Sequence, residues 1–244
     1  MCVPLRTQGT SEIIFQSPPR GCKLIIADYF QQEARIIAGL SKDTNAMELF
    51  KSGKDIYLEV AQAFVGDNGK DCADFRKIAK TIVLGLNYGR SEYSIHQELT
   101  GKGMQLSLDE VRSFTVSYYR MFEGIFKWKR ASVTAARAKK QVRTKIGRLI
   151  HISDDASDRS LFNLPVQANG ADGFKLALIR ISQKLNDLDA HIVHTQHDEI
   201  IVEAREDIAD PVREIVKVTM EALFKQIIPE VLFVVEPRVT EAWG

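Results

Sequence analysis

Cysteine and long apolar runs are scarce in this chain of 244 residues. Its three cysteines, Cys2, Cys22 and Cys72, are too few and too scattered for a disulfide framework or for a zinc site with paired spacing. No stretch approaches the ~20 apolar residues of a membrane span, and the N-terminal segment lacks the basic-then-apolar order of a signal peptide. We therefore expect reduced, structural cysteines, no membrane partner and an intracellular protein.

Charge of one sign is not in excess either, because the net charge is only +1. That average hides a basic block between Lys127 and Arg148, in which nine cations occur without an intervening acid. Such a block is either a solvated helix face or a positive surface that follows a phosphate backbone and binds it less tightly as salt rises. From Asp198 onward acids outnumber bases, which favours a metal-binding or solvent-facing surface there.

Hydrophobic periodicity predicts strands at both ends of the chain and a largely helical middle. Ser107 and Glu110 fit a capping box at the start of one of the helices. No internal repeat or low-complexity linker interrupts this order. The predicted elements are a strand at 23–27, a helix at 32–40, a helix at 55–64, a polar turn at 66–69, a helix from 76, a segment at 91–99, a long helical stretch from 107, a hairpin at 142–152, a helix at 171–188, a strand–turn–strand unit at 191–204, a helix at 211–226 and a strand at 231–239.

This order of elements predicts an α+β fold. Strands from the two ends of the chain form one sheet-based body, and the helical middle is an insertion into it. A doubly wound parallel fold would instead alternate strands and helices along the whole chain. The composition, 45% hydrophobic and 27% charged, is typical of a globular protein with one large domain or two smaller ones.

A row of side chains at i+4 spacing is the most informative local pattern. Arg76, Lys80, Leu84 and Tyr88 lie on one helical stripe that combines two cations, an apolar side chain and a phenol. The cations suit a triphosphate, and the apolar and aromatic members offer a surface for a flat base. The same stripe also fits an amphipathic surface helix whose cations are solvated.

Two carboxylates follow apolar strands at opposite ends of the chain. Asp28 ends the first strand and Asp198 lies at the tip of the 191–204 unit, so neighbouring strands of one sheet can bring them together. Carboxylates placed in this way suit Mg²⁺, and two such ions stabilise the attacking and leaving oxygens of an in-line displacement. Each acid also fits a solvated turn residue. His197 fits a surface imidazole, because no Ser or Cys partner for nucleophilic catalysis lies nearby.

Three motifs in this order resemble those of the family A DNA polymerases. Residues 28–35, DYFQQEAR, resemble the first motif of that family, and residues 76–89, RKIAKTIVLGLNYG, resemble the second. Residues 196–199, QHDE, resemble the third motif. The resemblance extends from VPLRT at residue 3 to the C-terminal EAWG, which is nearly the whole chain.

The resemblance implies a palm made of an antiparallel sheet from both ends of the chain, with mostly helical fingers between its two parts. It places the first part of the palm at 1–50, the fingers at 51–145 and the second part of the palm at 146–244. It implies that the chain extends a primer by two-metal phosphoryl transfer and releases pyrophosphate. The implied cofactor is Mg²⁺, as two ions, with Mn²⁺ as a substitute.

Roles follow from the resemblance residue by residue. Asp28 and Asp198 would be the metal-binding catalytic carboxylates, with Glu199 as an auxiliary acid. Arg76 and Lys80 would contact the incoming deoxynucleoside triphosphate.

Further nucleotide-binding roles fall on Tyr88, Glu33, Gln31 and Leu84. Tyr88 would lie beside the nascent base pair. Glu33 would exclude a ribose 2′-hydroxyl by its bulk and by its link to Tyr88.

The resemblance also implies contacts with primer-template DNA. His197 would lie near the primer terminus. The segment RSLFNLPVQANGAD would contact the minor groove, where all correct base pairs share acceptor positions. We expect Pro165 to distort any helix in that segment. The further DNA-binding residues implied are Arg159, Asn163, Gln167 and, in VRTKIGR, Arg148.

Two side chains depart from the family pattern. Leu84 stands where the family usually has Phe or Tyr, and we hypothesise that Leu84 therefore discriminates against dideoxynucleotides. Phe30 replaces a usual Ser, with no consequence that the pattern indicates.

A third departure is the lack of a thumb segment before VPLRT. From it we expect weak, salt-sensitive DNA binding and low processivity. Either a separate thumb- or exonuclease-bearing polypeptide supplies the missing part, or the chain is a fragment. The expected location is the cytoplasm of a bacterial or phage-infected cell, with an organelle not excluded.

Two other functions remain open at this point. One is a noncatalytic or partner-dependent nucleic-acid-binding subunit that retains the polymerase fold. The other is a phosphohydrolase, since two-metal carboxylate sites also serve hydrolysis.

Overall fold

The computed structural model describes residues 18–65 and 72–243, which form two compact units. The sheet unit contains the described residues up to Gln32, together with Gly170–Ile227 and the residues from Phe233 onward. The helical unit contains Glu33–Asn169 and Ile228–Leu232. These units are defined by packing, whereas palm and fingers are defined by function, so the predicted domain boundaries stay a prediction.

Helices dominate the described part of the chain. The strands are β1 (Cys22–Ala27), β2 (Gln141–Arg143), β3 (Leu149–His151), β4 (Ala190–Gln196), β5 (Glu199–Arg205) and β6 (Arg238–Thr240). The helices are α1 (Gln32–Ser41), α2 (Thr44–Lys51), α3 (Ile56–Val65), α4 (Cys72–Asn87), α5 (Glu92–Gly101), α6 (Leu108–Met121), α7 (Glu123–Lys139), α8 (Asp158–Leu185) and α9 (Ala209–Ile227). No helix in this part of the chain is long and apolar enough to cross a bilayer.

The sheet unit is built on four antiparallel strands in the order β4-β5-β1-β6. β1 is central because its residues from Leu24 to Ala27 are apolar and buried, with Ile25 paired to Val202 of β5 and to Val239 of β6. Strands from both ends of the chain thus share one sheet. The predicted α+β class and antiparallel sheet are confirmed.

Aromatic rings pack beside this sheet. Phe224 of α9 stacks on Phe233 at 4.3 Å between ring centroids and meets the ring of Tyr29 edge-on at 4.9 Å. Gly173 of α8 lies so close that a Cβ there would be 2.4 Å from Phe224. A side chain at this glycine would therefore force the ring cluster apart.

The helical unit uses side-chain caps at several helix starts. Ser107 and Glu110 form the predicted capping box at the N-terminus of α6. Asp43 caps α2 through the Ala46 N–H and also accepts from the Gly124 N–H at the start of α7, at 2.7 Å. One carboxylate thus satisfies the amide groups of two helix N-termini.

Several predicted bounds differ from the observed ones. α8 begins at Asp158, not near 171, and continues through Pro165, which lacks the N–H that would bond the carbonyl of Leu161. The predicted strand at 231–239 is limited to β6 and an isolated bridge between Tyr29 and Val235. The predicted hairpin at 142–152 is confirmed by the β2–β3 pair.

One observed helix was not predicted, and some predicted features fall on residues that the structure does not describe. Helix α2 was not predicted. The predicted turn at 66–69 and the VPLRT segment lie outside the described residues. Cys22 is a free thiol, whereas Cys2 and the side chain of Cys72 are not described.

Candidate active site

Asp28 and Asp198 lie together at one edge of the sheet. Asp28 follows β1, and Asp198 lies in the turn between β4 and β5. β5 pairs with β1, and the last pair, Ala27 with Ile200, brings the two acids to the same end of the strands. The two carboxyl groups lie close enough to influence each other's ionisation. They open onto a cleft of about 340 Å³, which is lined by Asp28, Gln196, His197, Asp198, Glu199, Arg238 and Trp243.

The pKa of both acids is raised, and burial is the main cause in each. Surrounding protein displaces part of the hydration of Asp28, and together with the charges of Asp198 and Glu199 this raises its pKa to about 6. Burial likewise raises the pKa of the Asp198 carboxyl. Two negative charges at this edge therefore oppose each other, and a bound cation would relieve the repulsion.

The donor chemistry of this pair fits Mg²⁺. Both side chains supply carboxylate oxygens, the ligands that hard cations prefer, and both reach the cleft. No group of three or more His, Cys, Asp or Glu side chains in the described part of the chain is arranged to hold a metal ion by itself. Asp28 and Asp198 would thus be two ligands of an ion whose remaining positions come from substrate phosphate and water.

Glu199 is held by the C-terminal tryptophan. The indole Nε1–H of Trp243 donates to Glu199 Oε1 at 2.8 Å. The Trp243 ring packs against the cluster of Leu24, Ile26 and Ile201 and meets His194 edge-on at 5.5 Å. This packing fixes the direction from which Glu199 approaches the cleft.

Two predicted site residues of the sheet unit adopt left-handed backbone conformations. His197 has φ of 54° at the tip of the β4–β5 turn, and Gln31 has φ of 56° just before α1. Both polar side-chain atoms of Gln31 are buried and lack a hydrogen-bond partner within the described part of the chain. Strained backbone and an unpartnered buried amide are both features that concentrate at functional sites.

The predicted stripe lies on the solvent side of α4 in the helical unit. Ile82 and Val83 of this helix are fully buried, whereas Lys80 is exposed and Leu84 is half-buried. α4 ends at Asn87, so Tyr88 follows the helix instead of belonging to it. A cleft of about 490 Å³ runs along the stripe and is lined by Lys77, Lys80, Thr81, Leu84, Gly85, Tyr88, Arg90, Glu98, Lys102 and Met104.

Arg76 is engaged by an acid that the sequence did not single out. Its Nε and Nη2 donate to Asp55 Oδ2 at 2.9 and 2.7 Å, and its guanidinium lies 5.7 Å from the centroid of the Tyr57 ring. Arg76 therefore approaches any phosphate with part of its donor set already held by Asp55.

Tyr88 is connected to two other predicted residues. Its hydroxyl donates to the carboxylate of Glu33, and its backbone carbonyl accepts from Asn163 Nδ2 at 3.3 Å. Gly89 follows with φ of 69°, and a Cβ there would lie 3.0 Å from the Phe162 ring. The link between Glu33 and Tyr88 that the resemblance implied is present in this structure.

The remaining DNA-binding candidates lie in or beside α8. Arg159, Asn163 and Gln167 share one helix at i+4 spacing, and both Arg159 and Gln167 are exposed. Arg148 Nη2 donates to the carbonyl of Ala168 at 3.3 Å. Their contact with DNA stays a prediction.

The basic block is neither wholly solvated nor wholly available to phosphates. Lys129 is buried, with 5% of its surface exposed. Arg137 pairs with Asp158, and Lys140 pairs with Asp154. Lys127 forms an i,i+4 ion pair with Glu123 at 2.7 Å. Counting charges within the block missed these pairings because the three acidic partners, Glu123, Asp154 and Asp158, lie outside it.

Sequence reasoning also missed Asp55, Lys129 and Trp243. Asp55 precedes α3 and pairs with a cation 21 residues away, which no local periodicity signals. Lys129 reads as one of many cations on an amphipathic helix. Trp243 belongs to the EAWG segment at the C-terminus, and only its large aromatic side chain could have indicated a packing role.

Comparisons with known proteins find similar sequences. The model of DNA polymerase family A matches residues 2–244. DNA polymerase I, thermostable, of Thermus aquaticus is 31% identical over 234 residues, which cover 91% of this chain and 27% of that protein. DNA polymerase I of Aquifex aeolicus is 31% identical over 229 residues, which cover 91% of this chain and 39% of that protein. The chain thus spans between about a quarter and two fifths of the length of these relatives.

A solved structure is similar as well. It is described as the POL domain of Pol1 from M. smegmatis in complex with DNA primer-template and dNTP. The match has a TM-score of 0.84 at 28% sequence identity and covers 98% of this chain and 43% of that one.

Proposed function

The chain belongs to DNA polymerase family A, and from this premise we propose that it is the template-directed polymerase core of a DNA polymerase. The proposed reaction joins a primer 3′-oxygen to the α-phosphorus of a deoxynucleoside triphosphate and breaks the bond to the β-phosphate oxygen. The products are a primer longer by one nucleotide and pyrophosphate. The 3′-hydroxyl proton leaves to solvent.

The Asp28–Asp198 pair carries the proposal. Two acids far apart in the chain meet at the ends of neighbouring strands, where burial raises the pKa of each. Structural acids are more often placed where their charge is solvated or paired with a cation, whereas a repelling pair in a cleft suits a divalent ion. Mg²⁺, when bound, supplies Lewis-acid stabilisation of the attacking and leaving oxygens.

The remaining groups of the sheet unit support the same reaction. We assign Glu199 as an auxiliary acid, held by Trp243. We assign His197 to the primer terminus, where its place at the turn tip exposes the imidazole. We assign Gln31, whose buried side-chain amide has no hydrogen-bond partner in the described part of the chain, to the incoming nucleotide.

The helical unit supplies groups for the nucleotide. Arg76 and Lys80 place positive charge along α4, which suits a triphosphate. Leu84 and Tyr88 offer an apolar surface and a ring in the same cleft. Glu33 is bonded to the Tyr88 hydroxyl and would exclude a ribose 2′-hydroxyl by its bulk.

Primer-template DNA is the proposed macromolecular partner. Arg159, Asn163 and Gln167 would contact it along one helix, and Arg148 would contact it beside β3. The predicted palm at 1–50 and 146–244, the fingers at 51–145, a separate thumb-bearing polypeptide and a cytoplasmic location remain proposals.

Extension of a labelled primer tests this function. With Mg²⁺ and one dNTP at a time, we expect addition of only the nucleotide that the template base specifies, with release of one pyrophosphate per addition. DNA binding without extension would favour the noncatalytic subunit. Release of phosphate from dNTP without a primer would favour a phosphohydrolase.

A further inference from the structure

A buried lysine caps the C-terminus of α4, the helix that carries the stripe of Arg76, Lys80 and Leu84. Lys129 lies in α7, and its Nζ donates to the carbonyl of Leu86 at 3.3 Å, to the carbonyl of Asn87 at 2.8 Å and to Asn87 Oδ1 at 3.1 Å. Three oxygens thus match the three N–H bonds of an ammonium. A cation at the C-terminus of a helix also interacts favourably with the helix dipole.

Backbone hydrogen bonds at the end of α4 satisfy some of these carbonyls but not all of them. The Gly89 N–H donates to the Leu86 carbonyl at 3.1 Å and the Arg90 N–H donates to the Gly85 carbonyl at 2.9 Å, the two bonds of a Schellman motif. That motif does not satisfy the carbonyl of Asn87. Lys129 donates to the Asn87 carbonyl, and this is the shortest of its three hydrogen bonds.

Tyr88 lies within this capped turn, directly after the last residue of α4. Its carbonyl is bonded by Asn163 Nδ2 and its hydroxyl is bonded to Glu33, so both ends of the residue are held. Asn87, the residue before it, is held by Lys129 and also accepts from the Tyr118 hydroxyl at 3.1 Å. The direction in which Tyr88 leaves α4 is therefore set by the bonds on Asn87.

Stability alone does not account for a lysine at this position. Burial lowers the pKa of Lys129 to about 7, which means that the buried ammonium is costly relative to its solvated form. An uncharged side chain of similar length would avoid that cost but would leave the Asn87 carbonyl without its Lys129 donor, so the role of Lys129 lies in the hydrogen bonds that it makes.

We propose that Lys129 is a positioning residue for the incoming nucleotide. It acts through the last turn of α4, where its bonds to Leu86 and Asn87 fix the orientation of Tyr88. The inference rests on the proposed polymerase function for its kinetic consequence, and on the α4 terminus alone for its structural consequence.

Three variants separate positioning from a general effect on folding. Lys129→Met removes the donors and retains a long side chain, and Lys129→Arg retains the cation. Lys127→Met, two residues away on the same helix with 70% of the Lys127 side chain exposed, is the matched control. Each is measured by single-nucleotide primer extension and by amide hydrogen exchange of residues 84–90.

Lys129→Met is expected to raise KM for the dNTP about fivefold to tenfold, with kcat within about twofold, because a ground-state contact is misplaced while the reacting groups remain. Its amides at 84–90 should exchange faster. Lys129→Arg should lie between wild type and Lys129→Met, and Lys127→Met should match wild type.

Equal KM and equal exchange in Lys129→Met and Lys127→Met would overturn the proposal. So would a loss of kcat at unchanged KM, or a lower unfolding temperature with no kinetic change, since each describes a structural residue only. If wild type extends no primer, the proposed function fails, and the exchange at 84–90 alone supports or overturns the role of Lys129.

Discussion

The hydroxyl of Tyr88 donates a hydrogen bond to the carboxylate of Glu33, although 55 residues separate them along the chain. The bond joins the first turn of α1 to the residue that follows α4. Both side chains are half-buried, so the hydrogen bond is partly shielded from water. It links a residue assigned to sugar recognition with one assigned to the base pair.

Shortening Glu33 should therefore weaken the exclusion of ribonucleotides. Glu33→Ala removes both the bulk and the acceptor, and we expect the ratio of dNTP to rNTP incorporation to fall at least tenfold, or about 1.4 kcal/mol. Tyr88→Phe removes only the donor and should have a smaller effect. The assay compares kcat/KM for each nucleotide, with Glu92→Ala in the first turn of α5 as control. An unchanged ratio in Glu33→Ala would refute the role.

Leu84 gives a second prediction, on the sugar 3′-position. Because Leu lacks a phenolic hydroxyl, the wild-type chain should discriminate against dideoxynucleotides, and Leu84→Tyr should reduce that discrimination. Chain-termination assays with mixed dNTP and ddNTP measure the ratio. The hypothesis would be contradicted if the wild type incorporated dNTP and ddNTP equally well and Leu84→Tyr discriminated more strongly between them.

The acid pair predicts how the stability of the metal-free protein depends on pH. The pKa of Asp28 is about 6 in the folded state, above its value of ~3.9 in an unfolded chain. The folded state therefore binds the extra proton, and this contribution to stability is complete below pH ~4 and lost as pH rises through 6.

Urea unfolding in a chelator measures this loss. Asp198→Asn removes the neighbouring charge, so the decline between pH 4 and 6 should be shallower than in wild type. Added Mg²⁺ should stabilise wild type at pH 7.5 more than it stabilises the variant. Equal slopes together with equal Mg²⁺ effects would show that the two acids do not form one site.

Lys129 predicts the opposite trend at higher pH. Its pKa of about 7 in the folded state lies below the ~10.4 of an unfolded lysine, so the unfolded state binds more protons between these values. The free energy of unfolding should rise with pH above 7. Tyr118, the other titratable group on Asn87, has a pKa raised by burial, so it opposes this trend only as pH approaches and exceeds the ~10 of an unfolded tyrosine.

Thermal unfolding at pH 6.5 and pH 9 tests the trend by comparison of variants. Wild type should gain more stability between these pH values than Lys129→Met does, whereas Lys127→Met should behave as wild type. If Lys129→Met gains as much as wild type, the lysine is not buried as an ionisable group.

Local patterns predicted most elements of this fold, since β1 is a short apolar run and α4 has a strong 3.6-residue period. They also brought Asp28 and Asp198 to one sheet edge, because antiparallel neighbours of a central strand share an end. The pairing of Arg76 with Asp55 and the burial of Lys129 could not be predicted in this way. Both depend on how separate helices pack, and an identical charge pattern fits a solvated surface.

Single-nucleotide primer extension by Asp198→Asn tests the central claim most directly. The variant keeps the size of the side chain but removes the charge, and Asp187→Asn, in the exposed loop between α8 and β4, is its matched control. We predict template-directed extension by wild type and by Asp187→Asn, and a loss of at least about a thousandfold in kcat for Asp198→Asn, since ~4 kcal/mol or more of metal-dependent stabilisation is removed. Extension by Asp198→Asn at the wild-type rate would contradict the account.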